Sequence, residues 1–415
     1  MILRYALFAG SLSLHVGVKA QYWNQRANLP DTTYAPYGFS VGDRVFMGSG
    51  VRSLAPFAEN TGFNEYLPVS DSWVPRSPCP GPARYGVSGF SLNGKGYVVC
   101  GWSGSPATAL NDVWEYDPSA DSWTQRSDFP GSARYSCVSV ATSTKAYIGL
   151  GHATWLNDWW EYDPTTGTWT QRANLPGQGR AACGSFVIDD EVYVTVGSRD
   201  VTSTTATFLM ELYKYSPTTD TWTVLAPFPA AGRSGPYSFS FGGVGYVVCG
   251  SGGDENAHDV FNDAWAYRPE TDNWYQLGLF PGVPMCAGFA CSTTSTCYIG
   301  AGSTAIASSS WVASELTDAF WEYQPAGLIG LEELPDEKEI HVLVDGDGVL
   351  VRWTASLRPE ALQLLDMRGR PVHIERLGGG VQRSRFNTAD LASGLYVVRV
   401  HGSGFAVQEK VMLVN

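Results

Sequence analysis

Six tryptophans recur at one position of this chain: Trp23, Trp73, Trp123, Trp169, Trp222 and Trp274. Their spacings are 50, 50, 46, 53 and 52 residues. Each has a proline seven residues on, at Pro30, Pro80, Pro130, Pro176, Pro229 and Pro281. A period near 50 residues means one supersecondary unit copied six times, each copy burying its apolar face on its neighbours. Residues that repeat in this way usually build scaffold. Chemistry has to be sought where the copies differ.

The second copy displays the unit. Arg84–Leu92 reads as a first strand, Asn93-Gly94 as a tight hairpin turn and Gly96–Gly101 as a second, buried strand. Val113–Tyr116 is a third strand, stopped by Asp117-Pro118, and Ser122–Arg126 is a fourth. Four short antiparallel strands make the blade of a propeller. In every copy an aromatic on the second strand precedes a glycine by four residues. The aromatics are Phe46, Tyr97, Tyr147, Tyr193, Tyr246 and Tyr298; the glycines are Gly50, Gly101, Gly151, Gly197, Gly250 and Gly302. Tyr66, Tyr116, Tyr162, Tyr215, Tyr267 and Tyr323 end the third strands, with proline two residues on. The Trp23 strand precedes any first strand, and the last copy, Val283 to Tyr323, has no fourth. The N-terminal strand is therefore expected to complete the sixth blade and remove two sheet edges.

This pattern resembles the Kelch repeat over residues 21–325. The resemblance implies an all-β chain with a six-bladed β-propeller. Kelch repeats usually carry two adjacent glycines after the second strand. Here the first is replaced by Ser49, Cys100, Leu150, Val196, Cys249 or Ala301.

Residues 326–339, with Gly327, Gly330, Pro335 and a run of acids, read as a linker. Residues 340–415 alternate as the strands of a small β-sandwich. Leu365-Asp366-Met367-Arg368-Gly369-Arg370, Leu391 to Tyr396 and the final strand with Lys410 are similar to the C-terminal sorting domain of the bacterial type IX secretion system. That resemblance implies passage across the outer membrane, with the export machinery as partner. The usual Pro-Asn-Pro near the domain start is replaced by Leu343–Gly348. Asp345-Gly346-Asp347-Gly348 reads as a hairpin turn, because the further ligands of a calcium loop are missing.

Residues 1–20 read as a secretory signal. Arg4 is the basic start, Tyr5–Val18 the apolar run and Val18-Lys19-Ala20 the cleavage site, giving a mature start at Gln21. That run is too short to span a bilayer, and no later stretch reaches eighteen apolar residues. The expected location is the cell surface or the medium, with no transmembrane segment. The formal net charge is −13, and residues 21–325 carry 28 acids against 15 bases. Such a body repels phosphate backbones and anionic lipid, which excludes nucleic acid as a partner.

Eight cysteines in an exported chain invite a disulfide reading. Cys100 and Cys249 share one repeat position, however, and Cys137 and Cys183 share another. Equivalent positions of different blades lie too far apart to bridge, so buried free thiols are expected. Cys291 and Cys297 flank a short turn and are the best candidate pair. No Cys-x-x-Cys is present, and neither a metal nor a cofactor is expected.

The long, variable connections follow the second strands, at Val51–Asn60, Trp102–Leu110, Ser198–Leu209, Ser251–Phe261 and Ser303–Thr317; only His152–Leu156 is short. Function concentrates in such loops. Arg84, Arg134, Arg180 and Arg233 open first strands, with Tyr34 and Met285 in their place in blades one and six. They could ring the channel mouth and grip carboxylate. Alternatively, they pair with acids such as Asp112 or Asp158 and tie loops together, which suits a residue that repeats. His152 and His258 are the histidines of the propeller, and Trp102 and Trp155 could stack on sugar rings. No residue stands out as catalytic. Galactose oxidase resembles this architecture but has seven blades and a copper held by two histidines and two tyrosines. Here the histidines fall on blades three and five, which argues against copper. The expected function is extracellular recognition of protein or glycan by a monomer. The alternative is a sugar-active enzyme resembling a sialic acid mutarotase, itself a six-bladed Kelch propeller.

Overall fold

The computed structural model describes residues 22–202, 205–252, 259–306, 313–324, 340–345, 348–353, 359–366, 370–377, 383–388, 390–391, 394–402 and 405–413. The signal segment 1–20, the linker 326–339 and His258 lie outside the described residues. Every regular element described is a strand. The chain forms two compact units, Gln21–Leu328 and, after it, Ile329–Asn415. Among the described residues no helix is long and apolar enough to cross a membrane.

Blade two shows how the first unit is built. Ser88–Leu92, Lys95–Val99, Val113–Asp117 and Ser122–Arg126 pair antiparallel in that order. Asn93 and Gly94 turn the first hairpin at φ 53° and 74°, the left-handed pair that a two-residue turn needs. The first strand alternates buried and half-buried residues, because one of its faces lines the channel. The second strand is buried almost throughout, because a neighbouring blade covers each face. Four other blades repeat this arrangement. The sixth combines the chain's first and last propeller strands: Tyr22–Gln25 pairs with Phe320–Gln324, with Trp23 opposite Tyr323. Arg26 beside that strand grips the buried Glu322 carboxylate.

The six first strands stand side by side around the axis, and serine hydroxyls stitch them together. Ser139 donates to Gly89 O at 3.2 Å, Ser238 to Ser185 O at 3.0 Å and Ser292 to Ser240 O at 2.8 Å. At the rim five of the six repeated tryptophans bond across a seam. Trp73, Trp123, Trp169, Trp222 and Trp274 donate their indole N–H to the carbonyls of Ala27, Ser77, Ser127, Ala173 and Ala226. Two residues before the tryptophan, Asp71, Asp121, Asp220 and Asp272 sit at φ 47–53° and accept the N–H of the same neighbour. Two seams are weaker. Between blades two and three the aspartate is replaced by Gly167, which keeps the left-handed turn (φ 68°) but brings no carboxylate, and the Trp169 bond is long at 3.3 Å. Between blades five and six the Trp23 indole is buried without a hydrogen-bond partner among the described residues.

The replaced Kelch glycine has a structural counterpart. Ser49, Cys100, Leu150, Val196, Cys249 and Ala301 all lie at φ between 50° and 65°, a region that glycine enters at little cost. Five of these side chains are completely buried, so packing offsets the backbone strain. For Val196, β-branched, that strain is greatest.

All eight cysteines are free, including the expected pair Cys291 and Cys297. Cys291 pairs in register with Tyr298, and Cys297 with Ser292. The two side chains therefore leave the blade on opposite faces, one packed with Tyr66 and Phe320, the other with Tyr246 and Tyr323. No bridge can span the sheet between them.

The second unit is a sandwich. Ile340–Asp345, Gly348–Trp353 and Arg383–Asn387 form one sheet; Pro371–Arg376, Pro359–Leu365, Gly394–Gly402 and Phe405–Leu413 form the other. Val349, Val351, Trp353, Leu362, Leu364, Phe386, Val398 and Val400 make its shared core. Asp345 pairs directly with Gly348, as the hairpin reading requires.

Candidate functional site

The axis of the propeller is built from small residues. Ala35, Gly86, Ser136, Ala182, Gly235 and Ala287 all lie at φ between 50° and 58°. Each donates its N–H to the carbonyl of the preceding one, at 2.7–2.9 Å, and Ala35 donates to Ala287, so six backbone bonds close a circle around the axis. On one side of this collar lies a channel of about 340 Å³ lined by all six first strands. Its walls carry Ser40, Ser91, Ser139, Ser185, Ser238 and Ser292, and among the described residues no lining side chain is charged.

On the other side, the collar residues help to line a cup of about 380 Å³. Its aromatic lining comes from Tyr34, Tyr85 and Tyr135 on blades one to three, His152 and Trp155 on blade three and Phe208 on blade four. No charged side chain lines it among the described residues. His152 is held between two rings, 4.7 Å from Tyr135 and 4.5 Å from Trp155. Burial pushes its pKa down, so the imidazole is neutral at pH 7. Burial raises the Tyr34 phenol far above its usual range, and Cys286 and the nearby phenols of Tyr85 and Tyr135 add to this. Among the described residues none of these three hydroxyls makes a hydrogen bond within the protein. The cup thus offers apolar ring faces and a few unspent neutral donors and acceptors, the usual make-up of a small-ligand pocket.

The long connections of blades four, five and six give this cup Val201, Ala206, Phe208, Ser251 and Ile306. Val51–Leu54 with Phe57–Glu59, Trp102–Gly104 with Ala107–Ala109, Ser198–Arg199 with Thr207–Phe208 and Ser303–Ile306 with Ala313–Leu316 form hairpins. In blade five Arg233–Ser234, Ser251–Gly252 and Asp259–Val260 form a three-stranded piece. Glu59 accepts the Gly104 N–H at 2.8 Å, joining the hairpins of blades one and two. Blade three has only the short His152–Leu156 turn, with Trp155 at φ 56°. Trp102 stacks edge-on to Tyr135 at 5.5 Å, at the rim.

The four arginines do not reach this cup. Their guanidinium groups turn into the blades and are at most 2% exposed. Arg84 pairs through two bonds of 2.5 and 2.6 Å with Asp112, Arg134 (2.5 and 2.7 Å) with Asp158, and Arg233 (2.6 and 2.9 Å) with Asp263. Each also donates to a backbone carbonyl at the end of its second strand, at Cys100, Leu150 or Cys249. Trp114, Trp160 and Trp265 donate to the same carboxylates at 2.7–2.9 Å. Burial works against the charges of Asp158 and Asp263, but their arginine and indole partners outweigh it and hold both carboxyls below the usual range. A buried guanidinium needs these partners, and every one is supplied by the blade itself. Blade four breaks the pattern. Glu211 replaces the aspartate and reaches Arg180 at 3.2 Å, while Tyr213 replaces the indole. One Arg180 nitrogen is left buried and unpaired.

In blade one the arginine's place belongs to Thr33, whose carbonyl accepts from Gly302 as that of Arg84 accepts from Gly50. Tyr34 is one residue further on, level with Tyr85 and Tyr135. Blade one is a residue shorter after its proline, and that shift hid the row of three tyrosines. Of the sequence candidates, His152 and Trp155 line the cup and Trp102 stands at its rim. The tyrosine row and the collar were missed, although a small residue two places after each arginine position was a usable signal.

Residues 64–307 match the family described as the attractin/LZTR1 β-propeller. Among solved structures, that of YjhT superposes with a TM-score of 0.59 at 17% identity, covering 71% of this chain and 96% of that one. Similarity at this level speaks for the fold alone. No curated protein matches the chain.

Proposed function

The chain belongs to the attractin/LZTR1 β-propeller family, and on that premise we propose that it is an exported recognition module. Its cup binds an uncharged, ring-bearing part of an extracellular protein or glycan. The observation that carries this reading is the aromatic cup with its unspent phenols and neutral imidazole, set on a rigid collar. Ring faces stack on a sugar or an aromatic side chain, and neutral hydroxyls fix its orientation. A sugar-active enzyme needs a carboxylate pair or its equivalent for proton transfer. Neither cavity has one among its described lining residues, so recognition is the better-supported reading.

Binding of neutral and sialylated oligosaccharides and of aromatic peptides can be followed by tryptophan fluorescence. Trp155→Ala is expected to weaken binding by tenfold or more, about 1.4 kcal/mol, with an unchanged melting midpoint. Trp102→Ala, at the rim, costs only a few-fold. Equal binding by wild type and both variants would remove the cup from consideration. A sialylated ligand bound more tightly than its neutral counterpart would favour the mutarotase-like reading.

Export rests on the apolar segment at residues 5–18 and on the sorting-domain resemblance of residues 340–415. Deleting 340–415 is expected to leave a folded propeller in the periplasm, since the blades are complete without it. Full recovery of the truncated protein in the medium would exclude a sorting role.

A further inference from the structure

The seam between blades two and three lacks the rim carboxylate found at four others. Two thiols meet at this same seam. Cys100 ends the second strand of blade two and is fully buried. Cys137 opens the first strand of blade three, is half-buried and lines the channel. They belong to one apolar cluster with Val99, Phe129 and Ile148. Ser88, the register partner of Val99 beside Cys100, donates to the Cys137 carbonyl at 2.7 Å, which sets the two cysteines side by side across the seam. The Ser88 hydroxyl is 3.1 Å from the Cys137 sulfur. The two residues hold different repeat positions, so neighbouring blades can bring them together. Cys183 repeats the position of Cys137 one blade further on and has no such neighbour across its own seam, where Leu150 stands in the place of Cys100.

We infer that Cys100 and Cys137 are a disulfide site, closed when the folded chain meets an external disulfide, and that the bond staples blade two to blade three. This rests on the export proposed above: outside the cytoplasm neighbouring thiols meet disulfides with which they can exchange. Cys137 is the entry point, because only it has surface on the channel. Its thiolate attacks one sulfur of the external disulfide, forming a mixed disulfide and releasing one thiolate. That thiolate takes the Cys100 proton. The Cys100 sulfur then attacks Cys137, expelling the second external thiolate. Two protein thiols are oxidised and one external disulfide is reduced to two thiols. The thiols differ in the sense this order requires. The neighbouring Cys100 thiol, the Ser88 hydroxyl and the Arg134 charge pull the Cys137 pKa down, whereas burial pushes that of Cys100 well up.

The test uses the full-length folded chain, equilibrated with oxidised glutathione, alkylated with iodoacetamide in denaturant and digested with trypsin. The expected product joins peptides 96–126 and 135–145 at a mass two hydrogens below their sum, with the other six cysteines alkylated. The melting midpoint of the oxidised protein should lie above that of the reduced one. Cys100→Ala should stop at the first step and carry glutathione on Cys137. Alkylation of all eight cysteines, or a bond from Cys137 to Cys183, would overturn the assignment. An unmodified Cys137 in Cys100→Ala would overturn the route through the channel.

Discussion

Deleting residues 21–28 is expected to cost more than about 5 kcal/mol and to lower the melting midpoint by roughly 10 °C or more. The loss is larger than one edge strand. Trp23 packs against Phe280 at 5.0 Å and Tyr323 at 4.6 Å, and large aromatic deletions in cores cost about 3–5 kcal/mol. Glu322 is left as a buried carboxylate without its arginine. The seam to blade one also opens, because Ala27 takes the Trp73 indole and donates its N–H to Asp71. Thermal unfolding followed by circular dichroism measures the effect. A truncated protein that melts with the wild type would mean that the ring is held shut elsewhere.

Asp158→Ala comes next in size, at roughly 3–5 kcal/mol, the usual cost of leaving a buried charge without its partner. Arg134 would keep two backbone acceptors and the face of Phe129, but its head would have no counter-charge. Glu211→Ala is the internal control. Its side chain is 43% exposed and meets Arg180 through a single contact of 3.2 Å, so a smaller loss than for Asp158→Ala is expected. Chemical denaturation of the two variants separates them. Equal losses would show that the bidentate geometry contributes nothing. The pairs also set an acid limit. Asp158 and Asp263 are held below their ordinary pKa range, so the stability they contribute is present above the unfolded value and is lost as pH falls through the folded one.

The blades could be read from the chain because the signals are local. A Tyr-x-Pro ends a strand, Asn-Gly turns one, and tryptophan at a fixed offset marks the rim. Ring closure could be inferred from what the last copy lacked. The site was harder for a physical reason. A repeated arginine says that every blade needs a cation, but not which way it points. That depends on Asp112, Asp158 and Asp263, which lie 24–30 residues downstream, just before the third strand. The collar was hidden because it consists of backbone, and alanine or serine does not advertise a left-handed φ. The cysteines misled because closeness in sequence, as for Cys291 and Cys297, was taken for closeness in space. Strand alternation sets them on opposite faces.

The pairing of Trp23 with Tyr323 has a kinetic side. The other strand pairs of the blades are hairpins or near neighbours, whereas this one joins residues 300 positions apart. In an open chain that closure costs roughly 3–4 kcal/mol more entropy than a five-residue hairpin. The first strand should therefore dock last, after five blades have brought its partner close. Until then it is a waiting segment, and its character suits the wait. It is four residues long, and Asn24, Gln25 and the adjacent Arg26 give it polar character. Such a strand is a poor template for misassembly between chains that have not yet closed.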